Sequence, residues 1–168
     1  ANLRVSKMVN NIKENVKDYS DEGQLKDYLI KILKKEVFDE KGLIYGMGHA
    51  VYTKSDPRAE ILKEQAQKLA KRKGRMKEFN LYKNIEKITK EIFKESRGED
   101  AEICANVDLY SGFVYKLLNI PEELYTPLFA TARLASWCTH RIEQLVSDEK
   151  IIRPAYMSLK NEGQETLF

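Results

Sequence analysis

Cysteine is scarce in this sequence. Cys104 and Cys138 are the only two in 168 residues, and their separation fits neither a metal site nor a redox pair, so buried thiols are the expectation. Histidine is equally scarce, limited to His49 and His140. No apolar run approaches a membrane span and no signal-peptide pattern is visible, which predicts a soluble protein in a reducing, cytoplasmic setting without a membrane partner. Charge of one sign is lacking as well. Lys and Arg number 29 against 26 Asp and Glu, a net +3, and the two signs interleave in nearly every segment. Such patterning reads as solvated helix surface rather than a nucleic-acid face. There are no repeats and no low-complexity stretches, and the length suffices for one domain with a real core.

Helical periodicity fills most of the chain. Val5, Met8, Val9, Ile12 and Val16 recur at three- and four-residue steps and predict a helix over 2–17. Leu25, Tyr28, Leu29, Ile32 and Leu33 predict another over about 22–36, after the helix-start chemistry of 19–23. Residues 56–73 read as a helix with Ile61, Leu62, Ala66, Leu69 and Ala70 inward and Gly74 as C-terminal cap. Further helices are expected over 76–95 and 106–119, the latter stopped by Pro121. The longest runs over 122–146, where Pro127 should delay or kink its start and Leu128, Phe129, Ala132, Ala135, Ser136 and Thr139 form a small-residue face. Leu43, Ile44 and Tyr45 are apolar but too short for periodicity to separate a strand from a buried approach to a loop. The fold class expected is all-α, with a first helical domain over 1–120 and a C-terminal helix and irregular tail over 121–168.

One stretch, residues 46–59 (GMGHAVYTKSDPRA), carries most of the chemical signal. Gly46 and Gly48 leave backbone room beside His49. Asp56 suits an N-cap and Pro57 the first helical position, which places Arg58 in a first helical turn. Arg58 there is either a solvated surface charge or, since the helix dipole disfavours a cation at that end, a residue kept for an anion. His49 is either a loop filler or a titratable donor. Asp108, at the start of a later helix, is an N-cap on spacing alone, or a general base if desolvated. His140 reads as structural.

The stretch resembles the Gly-His-x-Val-Tyr…Asp-Pro-Arg-Ala signature of citrate synthases. Three further stretches agree in order: residues 106–112 (NVDLYSG), 132–137 (ARLASW) and 152–154 (IRP). The resemblance implies the all-α small lobe of that family, and Asp108 as the base that removes a methyl proton from acetyl-CoA. It implies His49 as hydrogen-bond donor to the ketone oxygen of oxaloacetate. Arg58, Arg133 and Arg153 match its oxaloacetate-binding arginines, Arg153 reaching the partner's site in a homodimer. Leu43, Ile44, Tyr45, Gly46, Met47, Gly48 and Ala50 match the segment that receives coenzyme A. Where some relatives carry a basic phosphate-binding residue, this sequence has Thr53, with Lys54 next as the coenzyme A-binding candidate. Coenzyme A thioester enters as substrate, with no tightly bound cofactor and no metal.

The resemblance also implies that Ala1 follows directly on a His-Gly-Gly motif whose histidine stabilises the enol. The sequence therefore reads as a fragment that folds but is inactive, holding two of three catalytic side chains. Alternatives are a 2-methylcitrate synthase-type enzyme, or a non-catalytic helical module that binds coenzyme A or a protein.

Overall fold

A computed structural model describes residues 1–147. Among the described residues six helices follow one another: α1 (Asn2–Asn15), α2 (Glu22–Leu33), α3 (Pro57–Arg72), α4 (Met76–Arg97), α5 (Val107–Leu117) and α6 (Tyr125–Ser147), with a 3-10 turn at Glu122–Leu124 before α6. The fold is all-α, and no strand occurs among the described residues. Residues 43–45 form no strand; only Met47 makes a lone bridge, to Ala105. The chain divides into two compact units, Ala1–Glu122 and the part from Glu123 onward.

Local chemistry sets the helix starts in the first unit. The Asp21 carboxylate accepts from the N–H groups of Gly23 and Gln24 and opens α2. Asp56 accepts from the Arg58 N–H and opens α3, with Pro57 where a missing N–H costs nothing. Asn106, not Asp108, caps α5 by accepting from the Asp108 N–H. At the other end of α3, Gly74 takes a positive φ of 67° just past the cap residue Lys73.

The helices bury the stripes that periodicity assigned them. Val5, Met8, Val9 and Ile12 of α1 meet Leu25, Leu29 and Ile32 of α2, and Phe79, Tyr82, Ile85, Ile88 and Ile92 of α4, in one cluster with Leu109, Tyr110, Phe113 and Leu117 of α5. Each such apolar side chain stabilises the fold by about 1.5–3 kcal/mol on leaving water. Short α5 packs against α1, α3 and α4, so the N-terminal turn that carries Asp108 is fixed by three helices. On α3 the buried positions are Ala59, Ala66 and Ala70, which lets its backbone approach α5 closely. Ile61, expected inward, is 65% exposed. Two residues of helix rotate it about 200° from Ala59, onto the opposite side.

Two glutamates are buried in this unit, each among several cations. Glu78 of α4 pairs with Lys13 of α1, Arg75, and Lys116 of α5. Glu86 of α4 pairs with Lys63 of α3 at 2.8 Å and Lys90 at 2.7 Å, and accepts from the Tyr110 hydroxyl at 2.6 Å. Burial pushes both carboxyls up. The hydrogen bonds from Lys13 and Lys116, and from Lys63, Lys90 and Tyr110, overcome it and hold both at about 2.

Within the second unit the described residues form one long helix after the turn. Pro127 lies in its first turn, where the amide it lacks would have no helical partner, and it does not displace the start at Tyr125. Leu134, Trp137, Ile142 and Leu145 are more than half exposed. Cys138, expected as a buried thiol, is exposed on the same helix, while Cys104 in the first unit is buried. Among the described residues of this unit no second helix covers it.

Candidate active site

The loop 46–52 and the segment 104–106 are laced together across more than fifty residues of sequence. The Gly48 N–H donates to the Cys104 carbonyl at 2.7 Å, and the Asn106 N–H to the Gly46 carbonyl at 2.9 Å. Asn106 adds its side chain, whose Nδ2 donates to the Gly48 carbonyl at 2.8 Å. The Cys104 thiol donates to the Tyr52 carbonyl at 3.3 Å, and burial raises its pKa. Gly46 is required by both conformation and space. Its φ is +86°, and a Cβ there would lie 2.8 Å from Cα of Leu109.

This lacing brings His49, Arg58 and Asp108 to one end of the first unit. The ring of His49 is oriented by two backbone amides, Val51 N–H at 3.0 Å and Tyr52 N–H at 3.2 Å, both donating to Nδ1. An Nδ1 that accepts leaves the proton of the neutral ring on Nε2. Tyr52 lies 4.9 Å from the imidazole, centroid to centroid, and 5.5 Å beneath the Arg58 guanidinium. Arg58 Nη2 stands 3.0 Å from Nε2. Arginine offers donors only, so two donors face each other. An electron-rich oxygen lying to one side of the pair could accept from both.

Arg58 already has an anion. Its Nε and Nη2 reach the two oxygens of the Asp56 carboxylate at 2.9 and 2.8 Å. The cation in a first helical turn, which at the sequence level asked for a ligand, is thus held in part by the N-cap itself. Asp56 is fully buried; burial pushes its carboxyl up, and the Arg58 hydrogen bonds bring it below the usual range. The same pairing raises Arg58. About half of the Arg58 side chain remains exposed, and Nη1 makes no hydrogen bond among the described residues.

Asp108 is half-buried at the second position of α5. Its own N–H is used by the Asn106 cap, and its carboxylate accepts no hydrogen bond among the described residues. Its charge is felt by Arg58 and by Tyr115. The capping alternative is therefore taken by Asn106, and the Asp108 oxygens are left for other chemistry. Asn106 as the cap of α5, and Asp56 as the partner of the Arg58 guanidinium besides its expected cap, are what was missed. An Asn immediately before an apolar helix start was the available signal for the first.

The other candidates fall in several places. Tyr45 donates to Asp39 at 2.6 Å, Ile44 sits in the core with only its backbone free to serve a ligand, and Leu43 and Ala50 are exposed. Met47 and Gly48 are half-buried, and Lys54 is exposed. Arg133 lies on α6, in the second unit, over the ring of Phe129 at 5.0 Å. His140 is exposed on α6 with Glu143 at 3.4 Å. Arg153 lies outside the described residues. No group of metal-ligating side chains occurs among the described residues, and none of their helices is long and apolar enough to cross a membrane.

Residues 1–155 match the family model described as citrate synthase, C-terminal domain. The chain belongs to the citrate synthase family. Among curated citrate synthases, that of Synechocystis sp. is 45% identical over 114 residues, covering 68% of this chain and 27% of the relative. A protein named 2-methylcitrate synthase from Shewanella oneidensis is 32% identical over 142 residues, covering 84% of this chain and 34% of its own length. Among solved structures, the ternary complex of carboxymethyl coenzyme A and oxaloacetate with citrate synthase from Thermoplasma acidophilum aligns with a TM-score of 0.65 at 26% identity, covering 99% of this chain and 41% of that one. The chain thus spans between about a quarter and two fifths of the citrate synthase relatives it matches.

Proposed function

We propose that this chain supplies the coenzyme A loop and two catalytic side chains of an enzyme that condenses acetyl-CoA with oxaloacetate. Asp108 takes a proton from the thioester methyl group, and the resulting carbanion equivalent attacks the ketone carbon of oxaloacetate. The Nε2–H of His49 donates to the ketone oxygen as it becomes an alkoxide. Arg58, with Arg133 and Arg153, grips the carboxylates of oxaloacetate, for which planar guanidinium groups are suited. Residues 43–50 receive coenzyme A, and hydrolysis of the thioester releases citrate. A homodimer, in which Arg153 serves the partner's site, completes the proposal.

The observation that carries this reading is Asn106. One side chain caps α5 and ties it to the Gly48 carbonyl, so the base and the imidazole are positioned from a common point. Replacing the matching segment of the Synechocystis enzyme with this chain tests it. Coenzyme A release from acetyl-CoA plus oxaloacetate is expected, and Asp108→Asn should lower it about a thousandfold, the range of general acid–base contributions. Turnover indifferent to that substitution would sink the assignment. The Shewanella relative supports a second reading, in which propionyl-CoA is the preferred thioester. Comparing kcat/KM for the two thioesters in the same chimera separates them.

A further inference from the structure

Asp108 and Tyr110 leave α5 on opposite sides, because two residues of helix turn the direction by about 200°. Asp108 is half-buried at the site, and Tyr110 is fully buried behind it. The Tyr110 hydroxyl donates at 2.6 Å to the buried carboxylate of Glu86 on α4. That length is typical of a hydroxyl bound to an ionised oxygen, which is among the stronger hydrogen bonds. Lys63 of α3 lies 2.8 Å from the same Glu86 oxygen, Oε2, and its ammonium stands 5.9 Å from the centre of the Tyr110 ring. Lys90 takes the other oxygen at 2.7 Å. None of the candidate site residues stands on α4 itself.

The tether acts on a degree of freedom that the other contacts leave loose. Asn106 holds one end of α5 to the glycine loop, and a helix held at its end can still roll about its axis. Apolar packing fixes where α5 lies, but it is non-directional. A hydroxyl–carboxylate bond is directional, and this one acts off the axis, on the side away from Asp108. Side-chain tips stand about 5–6 Å from a helix axis, so a roll of about 10° carries the Asp108 carboxylate about 1 Å. A displacement of that size at a reacting group can cost about a hundredfold in rate. Lys63 follows Arg58 on α3, so one carboxylate holds both helices that present Arg58 and Asp108.

We infer that Tyr110 and Glu86 are positioning residues for the condensation, their hydrogen bond setting the roll of α5 and with it the place of the Asp108 carboxylate. This rests on the reading of Asp108 as the base. Neither residue reaches substrate, since both are buried; they act through the helix.

The chimera with the Synechocystis enzyme tests the inference. Tyr110→Phe keeps the ring beside Phe79 and Tyr82 and deletes only the donor. It should lower kcat by about ten- to a hundredfold with KM for both substrates unchanged, because only the base has moved. Glu86→Gln keeps an oxygen for the hydroxyl and should retain more of kcat than Glu86→Ala. Adding Tyr110→Phe to Glu86→Ala should lower kcat little further, since each removes the same bond. Glu78→Gln is the control. It breaks the other buried carboxylate cluster, which meets α5 at Lys116 near the far end of the helix, and should lower the melting temperature with kcat at the parent value. Tyr110→Phe turning over at the parent rate overturns the inference. So does an equal loss in Glu78→Gln, which makes the effect one of general stability. A parent chimera without turnover, or one indifferent to Asp108→Asn, overturns the reading of the base and this inference with it.

Discussion

Asn106 donates from Nδ2 to the carbonyl of Gly48 at 2.8 Å while its Oδ1 accepts from the Asp108 N–H at 3.0 Å. A single amide thus joins the start of α5 to the loop of His49 across 58 residues of sequence. Substituting Ala removes both bonds, and the cap alone is worth about 0.5–2 kcal/mol. Asn106→Ala should therefore lower stability in urea titration by roughly 1–3 kcal/mol, the cap plus one hydrogen bond. Asn106→Asp preserves the cap acceptor but loses the donor to Gly48. It should recover most of the stability and little of the coenzyme A affinity measured by calorimetry. Equal affinity in both variants would detach the tether from ligand binding.

Gly46 and Gly74 both have positive φ, and only one is crowded. At Gly74, with nothing within 4 Å of a new Cβ, alanine should cost about 1–2 kcal/mol, the backbone term alone. At Gly46 the Cβ meets Cα of Leu109 at 2.8 Å, so an overpacking cost of about 1–3 kcal/mol is added to that term. Denaturant titration of the two variants measures the difference. Equal losses would mean that the loop yields without disturbing α5.

The neutral ring of His49 is expected to carry its proton on Nε2, because two backbone amides donate to Nδ1. Nitrogen-15 correlation spectra of the imidazole distinguish the tautomers directly. A predominant Nδ1–H form would remove the oriented donor on which the ketone-polarising role depends.

Acid should weaken the fold through Glu78 and Glu86. Both carboxyls sit at about 2 in the folded chain against an ordinary 4.5, so the folded state binds their protons less tightly than the unfolded chain does. Their contribution is present above about 4.5 and is lost as pH falls through that value toward 2. The scale is about 1–3 kcal/mol for each, since the lysine partners are partly solvated and burial holds Lys13 itself below the usual ammonium range. Glu86→Gln should flatten this part of a stability-against-pH curve. An unchanged slope would assign the acid sensitivity to other groups.

Arg58→Ala leaves the Asp56 carboxylate fully buried with one backbone amide in place of a guanidinium fork. A loss of roughly 2–4 kcal/mol is expected, near the cost of breaking a buried pair but reduced because Arg58 is half solvated. Arg58→Lys should recover part of it. Thermal melts that show no loss would mean that Asp56 is protonated or rehydrated at little cost.

The sequence by itself determined the helices, the caps of α2 and α3 and the order of the motifs. Asp21, Asp56 with Pro57, and Gly74 act within a few residues of where they stand, and apolar spacing at 3.6 residues states which stripe seeks the core. The glycine loop, His49, Arg58 and Asp108 were singled out in the sequence by residue type and by resemblance to the family signature, and their catalytic roles stand as the proposal. What only the tertiary structure decided depends on how helices rotate and cross. Ile61 turned outward because Ala59, Ala66 and Ala70 gave α3 a closer seat on α5. Asn106 took the cap that spacing offered to Asp108, and the Asp108 carboxylate accepts no hydrogen bond among the described residues. Tyr110 and Lys63 met at Glu86 because α3, α4 and α5 pack against one another. Side chains tens of residues apart meet according to interhelical geometry, and a one-dimensional pattern of apolar and polar residues states which face is buried without stating what it will meet.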